Sequence, residues 1–101
     1  MGVKLNPNPG IKATEVFPAA IKGDIKGLYI FGEDPVVTDA DTNHIIKALE
    51  SLDFLVMSEL FMTETAQYAD VILPGVSYAE KEGTFSNTER RVQRVRKAVQ
   101  L

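Results

Sequence analysis

The sequence predicts an α/β fold: a three-layer arrangement in which a parallel sheet of about three strands carries flanking helices. Three observations predict it. Leu28-Tyr29-Ile30-Phe31, Phe54-Leu55-Val56-Met57 and Val71-Ile72-Leu73 are short, bulky and continuous apolar runs, the pattern of strands buried on both faces. Amphipathic, helix-period segments separate them. The order is therefore α, β, α, β, α, β, which right-handed crossovers convert into a parallel sheet with helices packed on it.

Each element has a local reason. The lead-in, residues 1–13, contains Asn6-Pro7-Asn8-Pro9-Gly10. Its two prolines lack donors and restrict the residues before them, so it reads as extended. Residues 14–22 read as a short helix with Thr14 as N-cap, Glu15 at the positive end of the dipole, Pro18 in the first turn and Gly23 as terminator. Residues 41–52 read as a second helix, in which Ile45, Ile46, Leu49 and Leu52 recur at helical spacing and Asp41 caps. A shorter helix follows at residues 63–69, capped by Thr63. The α/β portion spans residues 14–86. At its end, Glu82-Gly83-Thr84-Phe85 and Ser86-Asn87-Thr88-Glu89 read as a turn-rich loop. The spacing of Val92, Val95, Ala98 and Val99 predicts a weak helix in the basic tail, residues 87–101. Three strands are a thin sheet with two open edges, which suggests a piece of a larger protein or a subunit that docks on a partner.

Composition narrows the chemistry. The chain has 101 residues, 45% of them hydrophobic and 25% charged, no Cys and one His, His44. Disulfides, cysteine-ligated clusters and thiolate nucleophiles are thereby excluded within it. No apolar stretch approaches the ~20 residues of a membrane span, and the start lacks the apolar core of a signal peptide; the expectation is a cytoplasmic domain. Residues 1–86 hold six Lys against thirteen acids, whereas residues 87–101 hold Arg90, Arg91, Arg94, Arg96 and Lys97 against Glu89. The tail could meet nucleic acid, but it lacks interleaved aromatic residues, and nucleic-acid binding is not expected.

Ligands of open parallel sheets bind beyond the carboxyl ends of the strands. Those ends are Gly32-Glu33-Asp34-Pro35, Ser58-Glu59 and Pro74-Gly75. Gly32 allows close approach or positive φ, and Pro35 stiffens the turn. The loop leads to a helix N-terminus, whose free amides suit phosphate. Its acids suit donors instead: ribose hydroxyls, or the guanine edge, where a ring N–H beside an amino group matches the two oxygens of one carboxylate. On composition alone these acids equally read as solvated caps. There is no G-x-G-x-x-G, Walker A or G-x-S-x-G sequence.

Three blocks carry a resemblance. Gly32-Glu33-Asp34-Pro35, then Thr63-Glu64-Thr65-Ala66 with Ala69-Asp70-Val71-Ile72-Leu73-Pro74, then residues 82–93 (EGTFSNTERRVQ) resemble successive blocks of the molybdopterin oxidoreductase superfamily, and most of all the large subunit of formate dehydrogenase. The match runs from about Pro9 to the end. It implies a fragment of the third domain, a Rossmann-like unit cradling one of two molybdopterin guanine dinucleotides. The molybdenum or tungsten, its ligands and the catalytic residues would lie in the remaining domains of the parent subunit. Carried over residue by residue, Gly32, Glu33, Asp34, Pro35 and Thr38 would contact the nucleotide, with Asp34 favoured as the guanine or ribose reader. Ser58 and Glu59 would flank it, and Asp70 would be a contact or a cap. Gly83, Asn87 and Arg91 would approach the pterin side or a neighbouring domain. The resemblance also makes the tail extended, against the periodicity. The competing function is an assembly or protein-interaction module without catalytic activity.

Overall fold

A computed structural model describes residues 2–100; Met1 and Leu101, the outermost residues of the expected lead-in and tail, lie outside the described residues. The elements run α1 (Ala13–Lys22), β1 (Gly27–Phe31), α2 (Pro35–Thr38), α3 (Thr42–Glu50), β2 (Phe54–Glu59), β3 (Val71–Pro74), β4 (Gly83–Ser86) and β5 (Val92–Val95), with single 3-10 turns at Thr65–Tyr68 and Tyr78–Glu80. The expected parallel sheet is present in the order β1-β2-β3. Its register sets Leu28 beside Leu55, Ile30 beside Met57, and Met57 beside Ile72.

Side chains on a strand alternate between faces, and register partners share a face. Leu28, Ile30, Leu55, Met57 and Ile72 therefore form one apolar face. Ile45 and Leu49 of α3 pack onto it, with Val36 of α2, Ala66 and Phe17 of α1. The opposite face carries Tyr29, Phe31, Phe54 and Leu73, all exposed, with Phe31 at 73%. Continuous apolar runs predicted burial on both faces; this chain covers one.

Local physics explains the helix ends. Asp41 caps α3 by accepting the His44 N–H at 3.1 Å, as its position predicts. Gly23 ends α1 at φ 80°, where the Gly23 N–H donates to Ala20 O and the Asp24 N–H to Ala19 O, an arrangement favouring glycine. Two expectations for α1 are corrected. The helix opens at Ala13, with Lys12 at the N-cap position and the Glu15 carboxylate accepting the Lys12 N–H at 3.3 Å; Thr14 is already inside it. Pro18 falls in the second turn, where it leaves the Thr14 carbonyl without a helical donor; Thr14 is exposed, so water can replace that donor. The segment at residues 63–69 condenses to one 3-10 turn, preceded by Thr63, whose Oγ accepts the Ala66 N–H.

The tail is extended, not helical. β5 pairs antiparallel with β4, placing Val92 opposite Ser86 and Val95 opposite Gly83. Asn87 closes the hairpin: its carbonyl accepts the Arg90 N–H, its Oδ1 the Arg91 N–H, and its own N–H donates to Arg91 O. Arg90 adopts φ 61° in this turn, the left-handed position that follows a type I turn in such loops. Cross-strand pairing overrides the helical spacing of the valines.

Candidate functional site

The three parallel strands end at one level, and two hydrogen bonds carry the ladder past their ends. The Gly32 N–H donates to Ser58 O at 2.9 Å, and the Gly75 N–H to Glu59 O at 2.8 Å. Phe31, Gly32, Ser58, Glu59, Leu60, Pro74, Gly75, Val76 and Lys81 together line a cleft of about 330 Å³. Gly32 sits at φ 64°, a conformation that glycine adopts without steric cost; a Cβ there would meet nothing within 4 Å, so the backbone is open to a ligand. Glu59 is half-buried, and its Oε1 accepts the Leu60 N–H at 2.7 Å, which fixes the carboxylate at the end of β2. Lys81, whose Nζ lies 5.8 Å from the centroid of the Phe85 ring, brings a cation from the base of the hairpin. The cleft thus offers one anchored carboxylate, one ammonium group and apolar walls.

The loop after β1 is braced from a distance. Asp34 Oδ1 accepts the Thr65 N–H at 3.1 Å and the Thr65 hydroxyl at 2.5 Å. Thr65 Oγ in turn accepts the Val36 N–H at 3.1 Å, and Thr65 is fully buried. The Asp34 carbonyl accepts the Val37 N–H, the Thr38 N–H and the Thr38 hydroxyl. The amides at the start of α2, a short helix inside the expected loop, are consumed internally and Pro35 has none. The helix N-terminus to which the loop leads is that of α3, where Asp41 accepts the His44 N–H. Asp34 and Thr38 hold the shape of the turn, and one Asp34 oxygen is already committed to Thr65.

The candidate residues separate into four places. Gly32, Ser58 and Glu59 meet in the cleft. Glu33, with Pro35 and Thr38, lines a second cleft beside β1. Asp70 lies at the opposite, amino end of the sheet: its Oδ2 accepts the Leu55 N–H at 2.7 Å, and its N–H donates to Leu55 O at 2.9 Å. This pair locks the start of β3 to the start of β2, and the structure does not bring Asp70 to the cleft at the carboxyl ends of the strands. Asp70→Asn is expected to cost about 1 kcal/mol, since a neutral acceptor makes the weaker bond. Urea titration reads that loss as a lower midpoint.

Gly83, Asn87 and Arg91 lie on the hairpin. Arg91 pairs with Glu89 at 3.6 Å and Arg94 with Glu82 at 3.5 Å, both exposed and individually weak. The hairpin leaves β3 through the 3-10 turn at Tyr78–Glu80. There the Glu80 carboxylate accepts from Ser77, including the Ser77 N–H at 2.7 Å, and these bonds hold Glu80 below the ordinary carboxylate range. The Ala79 carbonyl accepts the Ala98 and Val99 N–H groups, so the same turn anchors the tail.

Sequence reasoning missed Lys81 as a site residue. It stands between two acids in a loop, and only the path of the chain after β3 brings it to the cleft. Among the described residues, no cluster of three or more His, Cys, Asp or Glu is placed to hold a metal, and no helix is long and apolar enough to cross a membrane.

Comparisons with known proteins agree with the blocks found in the sequence. The chain is 58% identical over 95 residues to the F420-dependent formate dehydrogenase subunit alpha of Methanocaldococcus jannaschii. It is 57% identical over 95 residues to subunit alpha of F420-dependent formate dehydrogenase 2 of Methanococcus maripaludis, and 50% identical over 95 residues to that of formate dehydrogenase 1 of the same organism. Each alignment covers 94% of this chain and 14% of the relative, so the chain spans about a seventh of their length. The molybdopterin oxidoreductase family model matches residues 1–101. With its parallel sheet, its cleft at the strand ends and these relatives, the chain belongs to the molybdopterin oxidoreductase family.

Proposed function

We propose that this chain acts as a segment of the large subunit of a formate dehydrogenase, and that the cleft at the ends of β1, β2 and β3 holds the guanine nucleotide end of a molybdopterin guanine dinucleotide. The observation that carries the reading is the convergence of Glu59, Lys81 and the open backbone of Gly32 on one cleft at the carboxyl ends of the strands.

The residues present fit that group. A guanine edge offers two adjacent donors to a carboxylate; Glu59 has Oε2 free, and Oε1, held by the Leu60 N–H, keeps a second lone pair for the neighbouring donor. The Lys81 ammonium complements a phosphate charge, a task the amides of α2 cannot perform. Gly32 lets the backbone approach the ligand closely. Leu60 and Val76 supply apolar wall for a purine face. Glu33 lines the cleft beside β1 and not this one, and Asp34 acts by holding the turn. Gly83, Asn87 and Arg91 shape and charge the hairpin that would face the pterin half or an adjoining domain. When bound, the group supplies a molybdenum or tungsten centre and its redox chemistry, with the metal ligands and formate-handling residues elsewhere in the subunit.

Glu59→Ala in the full subunit is expected to lower the guanine nucleotide released from the anaerobically purified, acid-denatured protein by about tenfold or more, the equivalent of at least one charge-assisted hydrogen bond. Wild-type nucleotide content would remove Glu59 from the site.

A further inference from the structure

Lys81 stands where the cleft meets the hairpin. Its backbone is extended, at φ −130° and ψ 164°. Side chains alternate along extended chain, so Lys81, Gly83 and Phe85 share one face of the ribbon. Gly83 puts no side chain between the other two, and the Phe85 ring leans across it: Phe85 Cε2 lies 3.9 Å from where a Cβ on Gly83 would stand. The Lys81 Nζ sits over that ring, 5.8 Å from its centroid, within the ~6 Å reach of a cation–π contact. Both neighbouring acids are engaged elsewhere. The Glu80 carboxylate accepts the Ser77 N–H, and Glu82 pairs with Arg94. Among the described residues Lys81 makes no ion pair. The distinction matters chemically. A carboxylate that holds an ammonium group also neutralises it, whereas the negative face of a ring orients the cation and leaves its net charge for another anion.

We propose that Phe85 is a positioning residue for the cleft: its ring holds the Lys81 ammonium, still charged, where the phosphates of a bound nucleotide meet it. A lysine side chain loses rotamer freedom when it grips an anion, and a ring that already restrains it lowers that cost. The Ala79 carbonyl, accepting the Ala98 and Val99 N–H groups, fixes the base of the hairpin and so the place of the ring beside the cleft. This role rests on the reading that the cleft takes a guanine nucleotide, and it gives the hairpin a part in binding it.

Titration calorimetry of GDP into the full-length subunit freed of its dinucleotide tests this through a double-mutant cycle. Lys81→Met is expected to weaken GDP binding by about tenfold or more, the loss of a charge-assisted contact. Phe85→Leu keeps an apolar side chain and removes the ring; it is expected to weaken binding by about twofold to fivefold. Phe85→Tyr, which keeps the face of the ring, is expected to match the wild type. In the Lys81→Met subunit, Phe85→Leu is expected to change nothing further. Wild-type affinity in the Phe85→Leu subunit overturns the proposal while leaving the nucleotide reading in place. So does an equal loss from Phe85→Leu in both backgrounds, the signature of a merely structural role. If the Phe85→Leu subunit fails to fold, pentafluorophenylalanine in place of Phe85 decides: it keeps the shape of the ring and abolishes its negative face, and undiminished GDP affinity there overturns the proposal. Failure of the wild-type subunit to bind GDP would sink the nucleotide reading and this role together.

Discussion

Leu55→Ala is expected to lower the unfolding free energy of this chain by about 2–5 kcal/mol, a large part of the ~5–15 kcal/mol that holds a small domain together. Leu55 is 1% exposed on the central strand, in one cluster with Ile30, Ile45, Leu49 and Met57. Truncation removes apolar contacts and leaves a cavity between β2 and the helices, which close packing only partly collapses. The effect is magnified here because one face of the sheet is bare and the core has a single layer of helices to share the loss. Urea unfolding measures it as a lower midpoint at unchanged slope. An unchanged midpoint would take Leu55 out of the core and with it the register that aligns the strand ends.

Thr65→Val should cost about 2–4 kcal/mol, although the two side chains have nearly the same shape. The hydroxyl is buried and works in both directions, donating to Asp34 and accepting the Val36 N–H. Its loss strands a buried amide and weakens the bonding of a carboxylate at once, and each unsatisfied group costs about 1–3 kcal/mol. Because that pair shapes the turn after Gly32, the variant should also lose guanine nucleotide, whereas Thr65→Ser should restore both stability and content. Full nucleotide content in a destabilised Thr65→Val subunit would separate the turn from the site.

These two residues show what the sequence could and could not convey. Leu55 was legible because a buried parallel strand is written as a continuous apolar run, and Asp41 because a cap acts on amides three residues away. The cleft could be located for the same reason: strand ends follow from strands. Other features depend on contacts between distant positions. Asp34 and Thr65 are 31 residues apart, and nothing local to either distinguishes a brace from a ligand reader. Val92, Val95 and Val99 have helical spacing, yet pairing with β4 makes the segment containing the first two a strand. Lys81 is flanked by acids and becomes a site residue only through the course of the loop. Asp70 stands next to an apolar strand just as the candidate acids do, but at the wrong end of it.

A guanine nucleotide lying across the ends of β1, β2 and β3 would shield the amides there, which amide exchange in the full subunit reads with the dinucleotide bound and after its removal. Slower exchange at residues 58–60 and 75–76 is expected in the loaded protein, by about tenfold or more. Identical exchange at residues 58–60 and 75–76 in both states, with protection appearing elsewhere in the chain, would contradict it.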